Sequence, residues 1–333
     1  MEILRVDPSG EAALRSWYEA YHAGAVAGRE APSNSLGPQD LAVILRTWHG
    51  YRSEAYAAYA GGRVVGGALV MMPLLDNPQH MDFDVNVPPA ERRRGVGTAL
   101  FGHVLDVARA QGRTRLLSEL IEPYQGKGPA EGKRFAERRG FRCVHREVHQ
   151  ILDLPLSAAT AGALSHEVAE RQRDYQLRTW SGPCPEELID GYVALRARFI
   201  GEVPLGEMDY QPEHWDTERV RAEERRDAEQ KRIVYTTVAI APDGELVGHT
   251  VLKLPERGPD RVNQGHTMVL PGHRGQRLGL GLKLTNLRAL LAAYPDCRVV
   301  HTWNANDNGP MVALNDRMGF RAVEQMGAYQ RDL

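Results

Sequence analysis

Two stretches of the chain, VPPAERRRGVG at 87–97 and VLPGHRGQRLG at 269–279, share the pattern Val-x-Pro-x-x-Arg, four further residues and Gly. Upstream, GGRVVGGALVMM is echoed by DGELVGHTVLKL at the same offset of 182 residues, from Gly66 to Gly248. Downstream, FAERRGFRCV is echoed by LNDRMGFRAV at an offset of 179 residues. Because three related stretches recur in one order, we infer that the chain contains two copies of one domain.

Each copy is predicted to run strand, two helices, three strands, helix, strand, helix, strand. In the second copy, IVYTTVAIA, ELVGHTVLKL and VNQGHTMVL are β-branched or alternating runs separated by turn signals, and LGLKLTNLRALLAAY has leucines at helical spacing. We therefore predict an α/β (α+β) chain with tandem domains at 1–155 and 174–333 and a linker at 156–173.

Composition narrows the class of protein. The chain has 333 residues, a net charge of −2 and 42% hydrophobic residues, which is typical of a two-domain globular protein and makes nucleic acid an unlikely partner. The three arginines of AERRRG are too few to change that. Three cysteines without a CxxC pair predict neither a disulfide framework nor a metal site. With no apolar run long enough for a membrane span and no signal-peptide pattern, we expect a cytoplasmic protein that does not bind membranes.

Both repeated stretches place glycines between a predicted strand and a predicted helix. The first turn of a helix presents backbone N–H groups and about half a positive charge, and glycines allow a ligand to approach the backbone. A diphosphate suits such a site. One G-x-G alone is weak evidence, but here the arrangement occurs twice.

With these residues the chain resembles the GNAT superfamily of N-acetyltransferases, whose pattern is R/Q-x-x-G-x-G/A after the fourth strand and Gly-Phe after the fourth helix. Arg92, Gly95 and Gly97 match it in the first copy. In the second, an ungapped alignment places Arg274, Arg277 and Gly279 on the motif, whereas a shift by two places Gln276, Gly279 and Gly281 there; we prefer the ungapped register. The arrangement resembles two-domain family members from actinobacteria.

The resemblance implies two tandem GNAT-like domains, each with a mixed, mostly antiparallel central sheet flanked by helices, and acetyl-CoA as co-substrate. It also implies that the fourth-strand backbone holds the acetyl group and the loop holds the diphosphate. The residues expected at the cofactor in the second copy are Met268, Val269, Leu270, Arg274, Gly275, Gln276, Arg277, Leu278, Gly279, Asn304 and Asn308. Those in the first copy are Val87, Arg92, Arg93, Arg94, Gly95, Val96 and Gly97, with Val85 and Asn86 beside them.

The family often has an asparagine opening the fourth helix and, seven residues later, a tyrosine that protonates the leaving thiolate. The second copy has Asn308 and then Asn315, while the first has Pro129 and then Ala136. This favours catalysis in the second copy, although the first has the better glycine loop.

Three residues are candidate catalytic groups in the second copy. His266, in the fourth strand, is a candidate base, although a strand histidine is more often a packing residue. Glu202 is the first of four acidic residues, with Glu207, Asp209 and Glu213, where this family often builds its acceptor site; most of them are expected to be a solvated face. Tyr329, in the last strand, is a candidate acid, although an ordinary half-buried tyrosine is the more frequent case. Glu119 is the candidate base if the first copy is catalytic.

The leading hypothesis is transfer of an acetyl group from acetyl-CoA to a primary amine of a small molecule, by direct attack in a ternary complex. One alternative is an acyltransferase of the same fold that uses a carrier-protein or aminoacyl-tRNA donor. Another is a non-catalytic CoA-sensing or partner-binding protein. The sequence identifies neither the acceptor nor the oligomeric state.

Overall fold

The computed structural model describes residues 1–29, 36–47, 49–124, 130–172 and 174–333. They form two compact units, which do not coincide with the two halves of the sequence. Unit 1 comprises Met1–Arg146, Gly206–Gln211 and Glu324–Leu333, and unit 2 comprises Glu147–Leu205 and Pro212–Val323.

The elements occur in the predicted order. Those of the first repeat are β1 (Glu2–Arg5), α1 (Glu11–Ala25), α2 (Pro38–Thr47), β2 (Tyr51–Ala60), β3 (Arg63–Pro73), β4 (His80–Asn86), α3 (Val96–Ala110), β5 (Arg115–Pro123), α4 (Glu131–Glu137) and β6 (Arg142–Asp153). Helix α5 (Ala158–Arg171) follows. Those of the second repeat are β7 (Gln176–Ser181), α6 (Ile189–Glu202), α7 (Thr217–Glu229), β8 (Arg232–Ile240), β9 (Leu246–Pro255), β10 (Arg261–Val269), α8 (Leu278–Ala293), β11 (Val299–Ala305), α9 (Gly309–Met318) and β12 (Arg321–Asp332).

Each unit has a mixed, mostly antiparallel sheet, as predicted. The strand order is β1-β2-β3-β4-β5-β12 in unit 1 and β7-β8-β9-β10-β11-β6 in unit 2. The parallel pairs are β4 with β5 and β10 with β11. From Glu324 onward β12 pairs with β5, and from Glu147 onward β6 pairs with β11. The last strand of each repeat therefore completes the sheet of the other repeat's unit.

Apolar side chains cover both faces of each sheet. In unit 1, Leu100 of α3 packs on one face and Trp17 of α1 on the other. In unit 2, Leu284 of α8 and Tyr192 of α6 take the corresponding places. The faces carrying α1 and α6 are called the α1 face and the α6 face below.

The predicted linker at 156–173 contains α5, whose Leu164 is buried in the core cluster beneath α8. Within the described ranges, none of the helices is both long and apolar enough to cross a bilayer.

Candidate functional site

The two glycine loops have matching conformations. Each follows a short 3-10 turn, and the guanidinium Nε of the next arginine donates to a carbonyl at the end of the fourth strand. Arg92 donates to Val87 O, one residue after β4, and Arg274 donates to Val269 O, the last residue of β10, both at 3.0 Å. The equivalence of Arg92 and Arg274 supports the ungapped register of the second motif.

Each loop contains two residues in the left-handed region, but the residue types are exchanged. Arg93 (φ 63°) and Gly95 (φ 84°) occupy these positions in unit 1, and Gly275 (φ 82°) and Arg277 (φ 59°) occupy them in unit 2. An arginine costs about 1 kcal/mol more than glycine in this conformation. Gly95 and Arg277 are the N-cap residues of α3 and α8, so both helices begin at an exposed loop suited to an anion.

The next glycine in each loop faces the following helix closely. A Cβ on Gly97 would lie 3.4 Å from Phe135 of α4, and one on Gly279 would lie 3.1 Å from Leu314 of α9. A large side chain at either position would therefore fill the space between the two helices.

The fourth strand of unit 2 separates from its parallel neighbour beside this loop. Pairing of β10 with β11 ends at Asn263. The register of β10 with β9 then shifts between Gln264 and Thr267, which places Gly265 and His266 opposite one residue of β9. This is a β-bulge, which redirects side chains locally.

A buried glutamine side chain supports the bulge. The Gln264 amide Nε2 donates to Thr250 Oγ1 (2.9 Å) and Val251 O (2.8 Å) on the neighbouring strand β9. The bulge was not predicted, although Gly265, which interrupts the alternating pattern of β10, is a sequence signal for it.

The backbone amides of β10 alternate between β9 and the gap beside β11. Leu270 N–H donates to Val247 O at 2.8 Å, so the amide of Leu270 is already used. Because successive amides point to opposite edges of a strand, Val269 N–H points into the gap and Met268 N–H toward β9. Of the three predicted acetyl-binding residues, Val269 is the one whose amide is directed into the gap.

Unit 1 differs at the corresponding strand. The β3–β4 register runs without a shift from Gly67↔Asn86 to Met71↔Asp82. The end of α1 also covers the equivalent of Val269, because a Cβ on Gly24 would lie 2.6 Å from Val87 N.

His266 lies on the bulge with its ring stacked on Phe199 of α6, at a centroid distance of 4.0 Å. The residue remains solvent-accessible although protein surrounds much of the ring. Desolvation, followed by the positive charge of Arg196, lowers the pKa of His266. Arg196 is buried and pairs with Glu223 at 3.0 Å. Phe199, Arg196 and Glu223 could not be identified from the sequence, because they surround His266 through tertiary packing of α6 and α7, which local spacing does not specify.

The structure corrects the prediction for Tyr329. This residue lies in the part of β12 that belongs to unit 1, is 1% exposed, and donates to Glu122 Oε1 at 2.5 Å. Tyr329 therefore lies in the core of unit 1 rather than beside His266, because β12 completes the other repeat's sheet.

The four acidic residues expected near the acceptor do not form one cluster. Glu202 pairs with Arg274 at 2.7 Å and so supports the loop of unit 2. Glu207 and Asp209 belong to unit 1, where they pair with Arg142 and Arg115. The remaining residue, Glu213, pairs with Arg219 in unit 2 at 3.3 Å.

The fourth helix of unit 2 begins as predicted, since the Asn308 side chain accepts from Met311 N at 3.3 Å. The residue in the tyrosine position, Asn315, is fully buried and accepts from Lys283 Nζ at 2.6 Å. Asn304, at the end of β11, donates weakly to Gln150 at 3.5 Å. The matching position in the first repeat, Pro129, lies outside the described residues.

The fourth strand of unit 1 carries two acidic residues. Asp82 and Asp84 lie two residues apart on the α1 face, where Tyr21 donates to Asp84 Oδ2 at 3.0 Å. Desolvation and then the charge of Asp84 raise the pKa of Asp82 to about 7. Glu119 lies on β5. The described part of the chain holds no group of three His, Cys, Asp or Glu placed to bind a metal.

Comparison with known proteins agrees with this architecture. The profile of the Acetyltransferase (GNAT) family matches residues 13–141 and 203–320. The mycothiol acetyltransferase of Saccharomonospora viridis is 28% identical over 246 residues, covering 72% of this chain and 70% of the relative.

Solved structures with the same fold include a tandem GNAT protein from the clavulanic acid biosynthesis pathway. It is 27% identical with a TM-score of 0.79, over 99% of this chain and 98% of that one. A GCN5-related N-acetyltransferase from Sphaerobacter thermophilus shares 15% identity with a TM-score of 0.67, over 99% and 95% of the two chains, and shows the fold alone.

Proposed function

Because the chain belongs to the GNAT family of acetyltransferases, we propose that it transfers an acetyl group from acetyl-CoA to a primary amine of a small molecule, and that unit 2 carries out this reaction. The assignment to unit 2 rests on the fourth strand, β10. This strand has a β-bulge, and its Val269 N–H is directed into the gap beside β11. Unit 1 has a regular β4 and a covered amide at Val87.

The loop from Arg274 to Gly279 fits the diphosphate of CoA. It combines the first amides of α8 with a left-handed backbone, and Gly279 keeps the space toward α9 free of a side chain. Arg274 is held by Val269 O and Glu202, which fixes the loop relative to β10. Bound acetyl-CoA supplies the activated acyl group.

Val269 N–H is the donor suited to the acyl carbonyl. A backbone amide fixed in a strand stabilises developing negative charge without reorganising, and loss of such a donor costs about 10²–10³-fold in rate. Arg274 holds the carbonyl of the same residue, which leaves the Val269 amide little freedom to move.

His266 is placed to accept the proton of the attacking amine, directly or through water. Its lowered pKa keeps the imidazole neutral at pH 7, as a base requires, although it also makes the base weak. The positive charge of Arg196 disfavours an ammonium ion nearby, which favours the neutral amine that reacts.

The acceptor is proposed to be a small molecule. The relative from Saccharomonospora viridis is a mycothiol acetyltransferase, and the solved tandem protein comes from the clavulanic acid biosynthesis pathway. Both names concern small molecules.

The test is thiol release from acetyl-CoA with a panel of small primary amines. We expect amine-dependent release by the unaltered chain, reduced at least about 100-fold by Gly279→Leu, because the new side chain would collide with Leu314. Gly97→Leu is the matched variant in unit 1, and its loss should be at least about tenfold smaller. A larger loss from Gly97→Leu, with both variants folded by circular dichroism, would assign the reaction to unit 1.

A further inference from the structure

The carboxylate of Glu167, in the last turns of α5, bridges two arginines of unit 2. Its Oε1 lies 2.5 Å from Arg277 Nε, and its Oε2 contacts Arg317 Nη2. Arg277 is the N-cap of α8, and Arg317 lies in the last turn of α9. Two guanidinium groups from the helices beside the glycine loop therefore meet at one carboxylate.

The segment that carries Glu167 is fixed against α8. The side chain of Gln172 donates to Arg277 O at 2.6 Å, and a Cβ on Gly281 would lie 2.3 Å from Gln172 Oε1. Leu164, one turn before Glu167, anchors the middle of α5 in the core. Glu167 is thus held in place by its helix, while its side chain is still 24% exposed.

The arrangement leaves an excess of positive charge. Glu167 brings one negative charge to two arginines, and the hydrogen bond from Arg317 is the main cause of its lowered pKa. Phosphate carries more charge and more acceptor oxygens than a carboxylate, and guanidinium groups bind it in bidentate fashion. A phosphate group would therefore compete for the same two donors.

We propose that Arg277 and Arg317 form a phosphate subsite, which Glu167 fills in this structure and which a phosphate of the CoA molecule takes over when it binds unit 2. The inference rests on the proposed function, since it names a subsite of the same cofactor. The exchange moves side chains only, because Gln172 and Leu164 hold α5 independently of Glu167.

The subsite is specific to unit 2. Gly95 takes the place of Arg277 at the N-cap of α3 and has no side chain to contribute. Arg277 departs from the family motif and adopts an unfavourable left-handed backbone conformation. The proposed subsite gives this arginine a role in binding.

The decisive variant is Glu167→Gln, which keeps the shape of the side chain and removes its charge. Both proteins to be compared are full chains that carry Gly97→Leu, which blocks the loop of unit 1. Calorimetry should give a dissociation constant for CoA about fivefold lower with Glu167→Gln than without it, as expected for release of two exposed ion pairs. Glu170→Gln is the matched control, because Glu170 lies on the same helix and pairs with His166 on the exposed side. It should change the constant less than about twofold.

Two further variants test the arginines. Arg317→Ala and Arg277→Gly should each weaken CoA binding about fivefold, the latter although glycine relieves the left-handed backbone. In the Arg277→Gly background, Glu167→Gln should have a smaller effect, which is the signature of a shared contact.

The choice of probe separates the phosphates and the hypotheses. A gain from Glu167→Gln seen with CoA but not with dephospho-CoA assigns the 3′-phosphate, and an equal gain with both assigns the diphosphate. CoA binding that Glu167→Gln and Glu170→Gln leave equally unchanged overturns the subsite and keeps the proposed function. If Glu167→Gln tightens the binding of inorganic diphosphate while no variant binds CoA, the subsite is kept and the proposed function is overturned. If neither probe binds, both are overturned.

Discussion

The two repeats share a glycine loop but differ in the strand that precedes it. In both, an arginine Nε donates to a carbonyl at the end of the fourth strand at 3.0 Å, and two left-handed residues lead into a helix. Only β10 of unit 2 has a bulge, whereas in unit 1 the tip of α1 lies over Val87 N.

This difference distinguishes the structural requirements of cofactor binding from those of acyl transfer. A loop of amides at a helix start suits an anion wherever it occurs, so its duplication is compatible with two cofactor sites. Acyl transfer needs in addition a free, fixed donor beside the reacting carbonyl and a group that takes a proton. In the proposed assignment, Val269 and His266 of unit 2 meet these two needs, whereas the corresponding strand of unit 1 carries the half-buried acids Asp82 and Asp84.

The largest difference between the two units is expected from substitutions of these side chains. His266→Phe keeps the stacking on Phe199 and removes the proton acceptor, so we expect kcat to fall about 100-fold with acetyl-CoA and the preferred amine. Asp84→Asn is the counterpart in unit 1 and keeps an acceptor for Tyr21. Its effect should stay below about threefold; the reverse ranking would make unit 1 the reaction site.

A second variant tests the exchanged strand. Tyr329→Phe removes the hydroxyl that donates to buried Glu122, so the free energy of unfolding of unit 1 should fall by about 1–3 kcal/mol. Urea denaturation, monitored by hydrogen exchange in β5, measures this change in the free energy of unfolding. Because Tyr329 lies in unit 1, kcat should not change, and a tenfold loss of kcat in the folded variant would restore Tyr329 as an acid.

The smallest expected effect is on the pH dependence of stability. Desolvation, then the charge of Arg196, holds the pKa of fully buried His249 well below its usual 6.5. Below about pH 6.5 the unfolded chain therefore binds a proton that folded unit 2 does not, and its stability falls as pH decreases, by at most about 1.4 kcal/mol per pH unit from this group.

His249→Phe should flatten that dependence. Hydrogen exchange of β9 at pH 7 and pH 5 is the measurement, with β3 as internal control because Gly67 takes the place of His249 in the first repeat. An unchanged difference between the two pH values in β9 would show that His249 is protonated in the folded state.

Much of the fold follows from the sequence. The repeat predicted the order of elements. The spacing from Val to Arg, which is the same in both copies, predicted the ungapped register, and the matching bonds of Arg92 and Arg274 support it. These features are local, since strand alternation, helical spacing and turn residues are read within short windows.

The exchange of β6 and β12 was not predictable in the same way. Both are long strands with similar patterns, and periodicity indicates that a strand exists without identifying its partner. Tyr329 was consequently assigned to the wrong unit. The surroundings of His266 were missed for a related reason, because Phe199 and Arg196 meet it only through packing of α6.

A co-crystal structure with a non-transferable acetyl-CoA analogue tests the central claim most directly. The account predicts the analogue in unit 2, with its carbonyl oxygen within hydrogen-bonding distance of Val269 N and its diphosphate at Arg274–Gly279. An analogue found in unit 1 alone, with its carbonyl at Val87, would contradict it.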